Sequence, residues 1–393
     1  MNTNTMRTVD RFAGIPLCWM AGLLAKLFQR SYNPSPDKWS AILVIKFFGL
    51  GSLLLSTPFL STLRRHAPQA RIAYLTFGAN KELLDKLPQP DIRLVIDTSS
   101  LRAFVSDTLR AIRTLRRLSI DVVFDLEFFS KFSTLMSTLT GSPVRVGYAL
   151  PTRWRSLNLT HPIPFDHSAH ATRLFLAQLH PFGMREEPAA PITRLQSSTT
   201  ARRSLARKLD LYHNGFTLIT ININAGATSH ERRWDPDRFV NVALELKRTL
   251  NSIRFFFTGT AEEFTYVDEA LRRRPELVPD TVNCAGLLTL DEFIALLERS
   301  SLFLTSDSGP MHIADSLGTP LVAMFGPESP QFYGPLGHSQ VIYKGIPCSP
   351  CLNIYNAKLF SCPYHARCMG EIPVHEVVAA ARHLLPAFKP EPV

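Results

Sequence analysis

The sequence predicts an α/β chain of two domains, each built on a parallel sheet. Three observations lead there. The chain has 393 residues, more than one hydrophobic core usually organises. Its strand candidates Ala41–Ile45, Leu302–Leu304 and Leu321–Phe325 are continuously apolar rather than alternating, as strands covered on both faces are. Strand-like runs also alternate with helical stretches along the chain, the rhythm of parallel crossovers.

Apolar residues make up 45% and charged residues 19%, a globular composition that excludes a largely disordered chain. The net charge of +10 suits a protein that meets anions: nucleic acid, anionic lipid or sugar phosphates. Lys and Arg are scattered and no nucleic-acid motif is present, so no nucleic-acid partner is expected. The apolar run Phe12–Ala25, flanked by Arg7, Arg11, Lys26 and Arg30, is too short to span a bilayer and precedes no small-residue cleavage site. A cytoplasmic protein is therefore expected. Leu17–Phe28 reads either as an interfacial helix on anionic lipid or as an accessory helix packed on the domain.

In the first half, Ala41–Ile45 leads into the turn Phe47–Ser52 and a helix over Leu53–Arg65. The glycines lack the full dinucleotide fingerprint, so a nicotinamide cofactor is not expected. Strands are predicted over Ile72–Thr76, Leu94–Asp97 and Val122–Leu126, with a helix over Leu101–Leu118. Asp125 and Glu127 stand at a strand's carboxyl end, where open parallel sheets place ligands. If the strand persists they share one face, and mutual repulsion would raise one pKa, which suits a base. The competing reading is a helix cap or a solvated pair. His161, His167 and His170 fit no zinc spacing; His170, opening the helix Ala171–Leu179, is either an acceptor contact or structural. Arg185–Thr200 is the expected hinge.

In the second half, the strand Thr217–Ile223 ends in the small-residue turn Asn224–Ala227, followed by Arg232 and Arg233. Glu262 and Glu263 follow the strand Ile253–Thr258, either to accept from ligand hydroxyls or to favour the next helix's N-terminus. The densest signal is Ser301–Tyr333: a strand, the turn Ser306–Gly309, a helix over Pro310–Leu317 stopped by Gly318, and a second strand. Proline in the first helical turn costs no hydrogen bond. The N–H groups of Ser308, Gly309 and Met311 and the positive helix end suit a diphosphate. Asp307 or Ser308 capping its own helix is the alternative.

Asp307–His312, with Gly318-Thr319-Pro320 and Phe325-Gly326-Pro327, resembles the donor-site signature of glycosyltransferase family 9, the heptosyltransferase-like enzymes. Further similar stretches are Arg145-x-Gly147-Tyr148, the segment ending Arg232-Arg233-Trp234, and Cys348–Cys351 with Cys368-Met369. The resemblance implies a GT-B fold, two Rossmann-like domains facing across a cleft, with a nucleotide sugar held by the second. The expected divisions are an accessory segment 1–37, an acceptor-side domain 38–190, a donor domain 201–371 containing the cysteine cluster 348–368, and a C-terminal helix and tail 372–393 that crosses back to the first domain.

The resemblance also assigns roles. Asn224, Gly226, Arg232, Arg233, Glu262, Asp307, Ser308, Gly309, Met311 and His312 would hold the donor, with Arg232 offsetting the leaving charge and Asp307 orienting its turn. Gly51, Ser52 and His170 lie on the acceptor side. The family's base is an aspartate where this chain has Ser52, and serine is no effective base without a proton acceptor. Glu127 is the nominated replacement, Asp125 its competitor. Cys348, Cys351, Cys362 and Cys368 would bind a structural zinc or stay as free thiols; their gaps match no common zinc ribbon. No other cofactor is expected.

The implied function is inverting transfer of a sugar from a nucleoside diphosphate, ADP-heptose or similar, to a lipopolysaccharide core or related glycolipid. The protein would sit peripherally on the inner face of the cytoplasmic membrane, against its anionic surface. The alternatives are a nucleotide-sugar-binding scaffold with little turnover, because of Ser52, and a metal-dependent interaction module.

Overall fold

The computed structural model describes residues 14–27, 35–149, 153–185, 191–211, 215–225, 230–250, 252–356 and 360–385. The chain divides into two compact units, Met1–Thr193 and Arg194–Val393.

The first unit begins with helix α1, Gly14–Leu27. Its sheet has six parallel strands: β1 Ala41–Ile45, β2 Arg71–Phe77, β3 Ile92–Ile96, β4 Val122–Asp125, β5 Val144–Tyr148 and β6 His161–Ile163. Their order is β3-β2-β1-β4-β5-β6. Every residue of β1 is buried, which explains its unbroken apolar run. Helices α2 (Leu101–Leu118) and α3 (Lys131–Leu139) cover one sheet face, where Ala111, Leu115 and Met136 meet Leu43, Ile45 and Phe47. The connections leave β1 and β4 in opposite directions, and the gap between these neighbours is a topological switch point.

Two expectations change here. The single helix over Leu53–Arg65 is two, Leu50–Leu55 and Thr57–His66. Pro58 has no N–H to continue the ladder and sits in the first turn of the second helix, where none is needed. Strand β6 is unannounced, because three residues, of which only Ile163 is buried, carry no periodic signal.

The second unit repeats the architecture with β7 Thr217–Asn222, β8 Ile253–Phe257, β9 Thr281–Asn283, β10 Leu302–Ser306, β11 Leu321–Phe325 and β12 Ser339–Tyr343. Their order is β12-β11-β10-β7-β8-β9, all parallel, with the switch point between β7 and β10. Helix α4, Gly309–Leu317, leaves β10 at that point and ends on Gly318, whose φ of 76° is the left-handed cap that glycine adopts freely. The last helix, α5 (Val374–Leu384), packs on the second unit. Val377, Val378, Ala381 and Leu384 join the second unit's core beside Phe239 and Val240. Its apolar stripe is satisfied there, on the sheet that its own chain has just built.

Candidate active site

At the second switch point the segment after β7 meets the tip of β10. Arg232 Nη1 donates to Asp307 Oδ2 at 3.2 Å and Nη2 to the Ala225 carbonyl at 3.0 Å. Next to it, Trp234 is fully buried, its backbone N–H bonded to Ser306 Oγ and its indole N–H to the Ile372 carbonyl. This wedge fixes the arginine pair at the sheet edge. Arg233 lies over the Tyr266 ring at 4.9 Å and pairs with Glu263 at 3.5 Å. The Nε atoms of Arg232 and Arg233 and Oδ1 of Asn224 are buried without a partner among the described residues. Buried polar atoms are rarely left so, and such a set has the chemistry to meet an anion's oxygens and a ligand's hydroxyls.

The start of α4 supplies two more donors. Neither the Ser308 nor the Gly309 amide donates to an acceptor among the described residues. Met311 differs from expectation: its N–H donates to the Ser308 carbonyl at 3.2 Å, and its side chain is fully buried in the core. The first turn of α4 tightens there and consumes that amide. Ser308 does not cap the helix; its hydroxyl meets Thr305 Oγ1 at 3.0 Å. His312 is buried in the first helical turn.

Two carboxyls crowd the arginine. Burial raises the Asp307 carboxyl above its ordinary range despite the opposing pull of Arg232. Glu328, in the turn after β11, was not singled out by sequence; only its place at a strand's carboxyl end marks it. It is 8% exposed, and burial first, then the Asp307 charge, push it to about 8. Glu262 is exposed, and hydrogen bonds from its own backbone N–H and from Thr260 hold its carboxyl below the usual range. Its neighbour Glu263 is the one tied to the site, through Arg233 and a capping box with Thr260. Gly226 lies outside the described residues.

At the first switch point the register sets Asp125 beside Ile45. Asp125 is fully buried and bonded on both oxygens: Oδ1 accepts from the Glu127 N–H, Oδ2 from Ser133 Oγ at 2.8 Å and Arg155 Nη2 at 2.9 Å. Burial raises its carboxyl, Arg155 opposing. With no oxygen open to a substrate, Asp125 is an anchor of the β4 edge and does not fit the base role. Glu127 is placed differently. Its Oε1 accepts from Lys46 Nζ at 2.9 Å and from the N–H groups of Phe47 and Phe48 at 2.6 and 3.0 Å. Its Oε2 makes no hydrogen bond among the described residues. Glu127 thus joins the ends of β4 and β1 and keeps one oxygen in reserve. Lys46, the first charged residue after an apolar strand, was the overlooked signal.

Gly51 is buried and Ser52 partly exposed in the helix after β1. Phe48, 50% exposed, stands beside Phe77 at 5.3 Å between centroids. His170 caps its helix by accepting from the Thr172 N–H at 3.3 Å.

The cysteines form a supporting loop. The N–H groups of Cys351 and Leu352 donate to the Pro327 carbonyl, and a Cβ at Gly326 would stand 2.4 Å from Met369 Sδ and 2.9 Å from Cys368 Sγ. The loop therefore packs under the turn that carries Glu328. Burial, with the other three thiols adding, pushes Cys368 up to about 11. All four thiols are free, and among the described residues no three His, Cys, Asp or Glu side chains are grouped to hold a metal ion.

Two parallel six-stranded sheets of this order make a GT-B-like fold. The profile of Glycosyltransferase family 9 (heptosyltransferase) matches residues 108–359, and the chain belongs to that family. It is 27% identical over 353 residues to lipopolysaccharide heptosyltransferase 3 of Escherichia coli K12, covering 86% of this chain and 96% of that one. Its fold matches a glycosyl transferase family 9 structure from Veillonella parvula (TM-score 0.74, 23% identity, 90% and 99% of the two chains). It also matches E. coli ADP-heptose lps heptosyltransferase II (TM-score 0.69, 21% identity, 88% and 98%).

Proposed function

We propose that this glycosyltransferase moves a heptose-type sugar from a nucleoside diphosphate, ADP-heptose or a close analogue, to a hydroxyl of a lipopolysaccharide core or related glycolipid, with inversion. The observation that carries this reading is the group of unanswered donors at the second switch point: Arg232 and Arg233 Nε with the Ser308 and Gly309 amides. A diphosphate presents the oxygens that such a set requires. Glu263, with Asn224 Oδ1, is placed to accept from ligand hydroxyls.

In the displacement, an acceptor oxygen forms a bond to the anomeric carbon as the bond to the diphosphate oxygen breaks. The electron pair leaves on the diphosphate, where Arg232 and the positive end of α4 meet it. The acceptor proton goes to Glu127, through its unbonded Oε2. This scheme assigns no charge-offsetting task to a divalent cation. The names of the relatives support the donor and acceptor classes, and a glycolipid acceptor implies work at the inner face of the cytoplasmic membrane.

The test is incubation with ADP-heptose and a heptose-deficient lipopolysaccharide core, following ADP release and the anomeric configuration of the product by NMR, with and without EDTA. Acceptor-dependent release and an inverted product are expected under both conditions. Tight nucleotide binding without turnover on any core acceptor would overturn the reading in favour of a scaffold.

A further inference from the structure

Helix α1, GIPLCWMAGLLAKL, contains no acidic residue and is apolar on every side. Only one narrow stripe is covered. Gly14, Cys18 and Gly22 are buried, and a Cβ at Gly14 or Gly22 would meet Lys131 at 2.6 Å or Leu157 at 2.9 Å. Asn158 Nδ2 donates to the Cys18 carbonyl at 3.0 Å, which fixes the helix on the unit. The remaining faces expose Leu17, Trp19, Met20, Leu23, Leu24 and Leu27, from 39% at Trp19 to 78% at Leu27. So much apolar surface on one short helix marks an interaction site.

The neighbouring helices show what covers it. α3, on which α1 rests, also packs against α2: Phe104 and Phe132 are 5.1 Å apart between centroids, and Arg116 Nε donates to the Leu139 carbonyl at 2.9 Å. α2 exposes the row Leu101, Val105 and Leu109, at 60%, 46% and 46%, which Arg113 continues. The same helix carries Arg102, Arg110, Arg116 and Arg117 against the single acid Asp107. The two helices packed against α3 thus offer bare apolar side chains and an excess of guanidinium groups. A second copy docked by two-fold symmetry would set this cationic surface against itself. Anionic lipid satisfies both parts at once. At about 1.5 Å per residue α1 is roughly 21 Å long, short of a bilayer core of about 30 Å, and among the described residues no helix is long and apolar enough to cross a membrane.

We infer that α1 lies in the headgroup boundary of an anionic bilayer, with the arginines of α2 drawing that face onto the lipid. This deepens the glycolipid reading above, and its test needs neither donor nor acceptor. The full chain is sedimented with unilamellar vesicles of phosphatidylcholine alone, or of phosphatidylcholine mixed with phosphatidylglycerol. Binding to the mixed vesicles is expected, weakened at least about ten-fold in Leu23→Glu/Leu24→Glu and about five-fold for each of Arg110→Gln and Arg113→Gln. Circular dichroism and Tm should stay at the parent values, because these side chains are exposed. The inference falls if the parent chain ignores both vesicle types, or if the Leu23→Glu/Leu24→Glu protein binds as well as the parent. It also falls if the chain forms, without lipid, a dimer that those substitutions abolish. ADP-heptose binding is measured on the same samples. Its absence alongside intact vesicle binding would sink the transferase reading and leave this one standing.

Discussion

Arg232 reaches Asp307 at 3.2 Å across the gap between β7 and β10, with its Nε buried and unanswered among the described residues. A guanidinium held on one side by a carboxylate and a carbonyl is oriented before any ligand arrives. Arg232→Ala should therefore lower kcat by about 10²–10³-fold, the usual loss when one transition-state charge partner is removed. Arg232→Lys should recover little, since lysine cannot keep both the Ala225 and Asp307 contacts and still present a donor. Steady-state kinetics with ADP-heptose, alongside calorimetric donor binding, separate the chemical loss from a binding loss.

Glu328 should give the enzyme an alkaline sensitivity. Its carboxyl is raised from 4.5 to about 8 by burial. Below 4.5 it is protonated folded and unfolded alike. Between 4.5 and 8 the unfolded chain ionises while the folded one keeps its proton, so stability falls as pH rises, and above 8 the full penalty is present. The Tm of Glu328→Gln relative to the parent should climb from pH 5 to pH 8 and then level off. A difference that stays constant with pH would show that Glu328 titrates normally.

The two carboxylates at the first switch point should separate cleanly. Asp125→Asn breaks a fully buried ion pair with Arg155 and should cost about 3–5 kcal/mol in urea unfolding. Glu127→Gln should cost stability too, through Lys46, but its folded fraction should lose kcat by about 10²-fold or more. A folded Glu127→Gln enzyme within a few-fold of the parent would remove Glu127 as base.

Gly326→Ala tests the cysteine loop as a support. The new methyl would overlap Met369 and Cys368, and an overpacked core typically costs about 1–3 kcal/mol. Donor affinity should weaken with it, because the same turn carries Glu328. Unchanged unfolding and unchanged nucleotide binding would show that the loop yields freely.

Much of the fold was legible in the residues. The buried strands β1 and β11 were legible as runs of five apolar residues, and β10 as a run of three before Thr305 and Ser306, because a parallel strand covered on both faces stays apolar. The half-polar edge strands β9 and β12 were not legible, since one open side leaves no continuous run. At the site, the sequence marked the loops but not the partners. Glu262 and Glu263 are adjacent letters, and only the turn of the chain hands Arg233 to the second.

By itself, then, the sequence determined the alternation of strand and helix, the small-residue turns at the sheet edges and the family. Local periodicity and local sterics are written in neighbouring residues. Tertiary structure alone decided which charges are spent and which remain available. Lys46 finds Glu127 across 81 positions and Arg155 seals Asp125 across 30, while the Met311 amide is lost to one tightened turn. Such pairings follow from where burial removes water, and that depends on every strand packed around them.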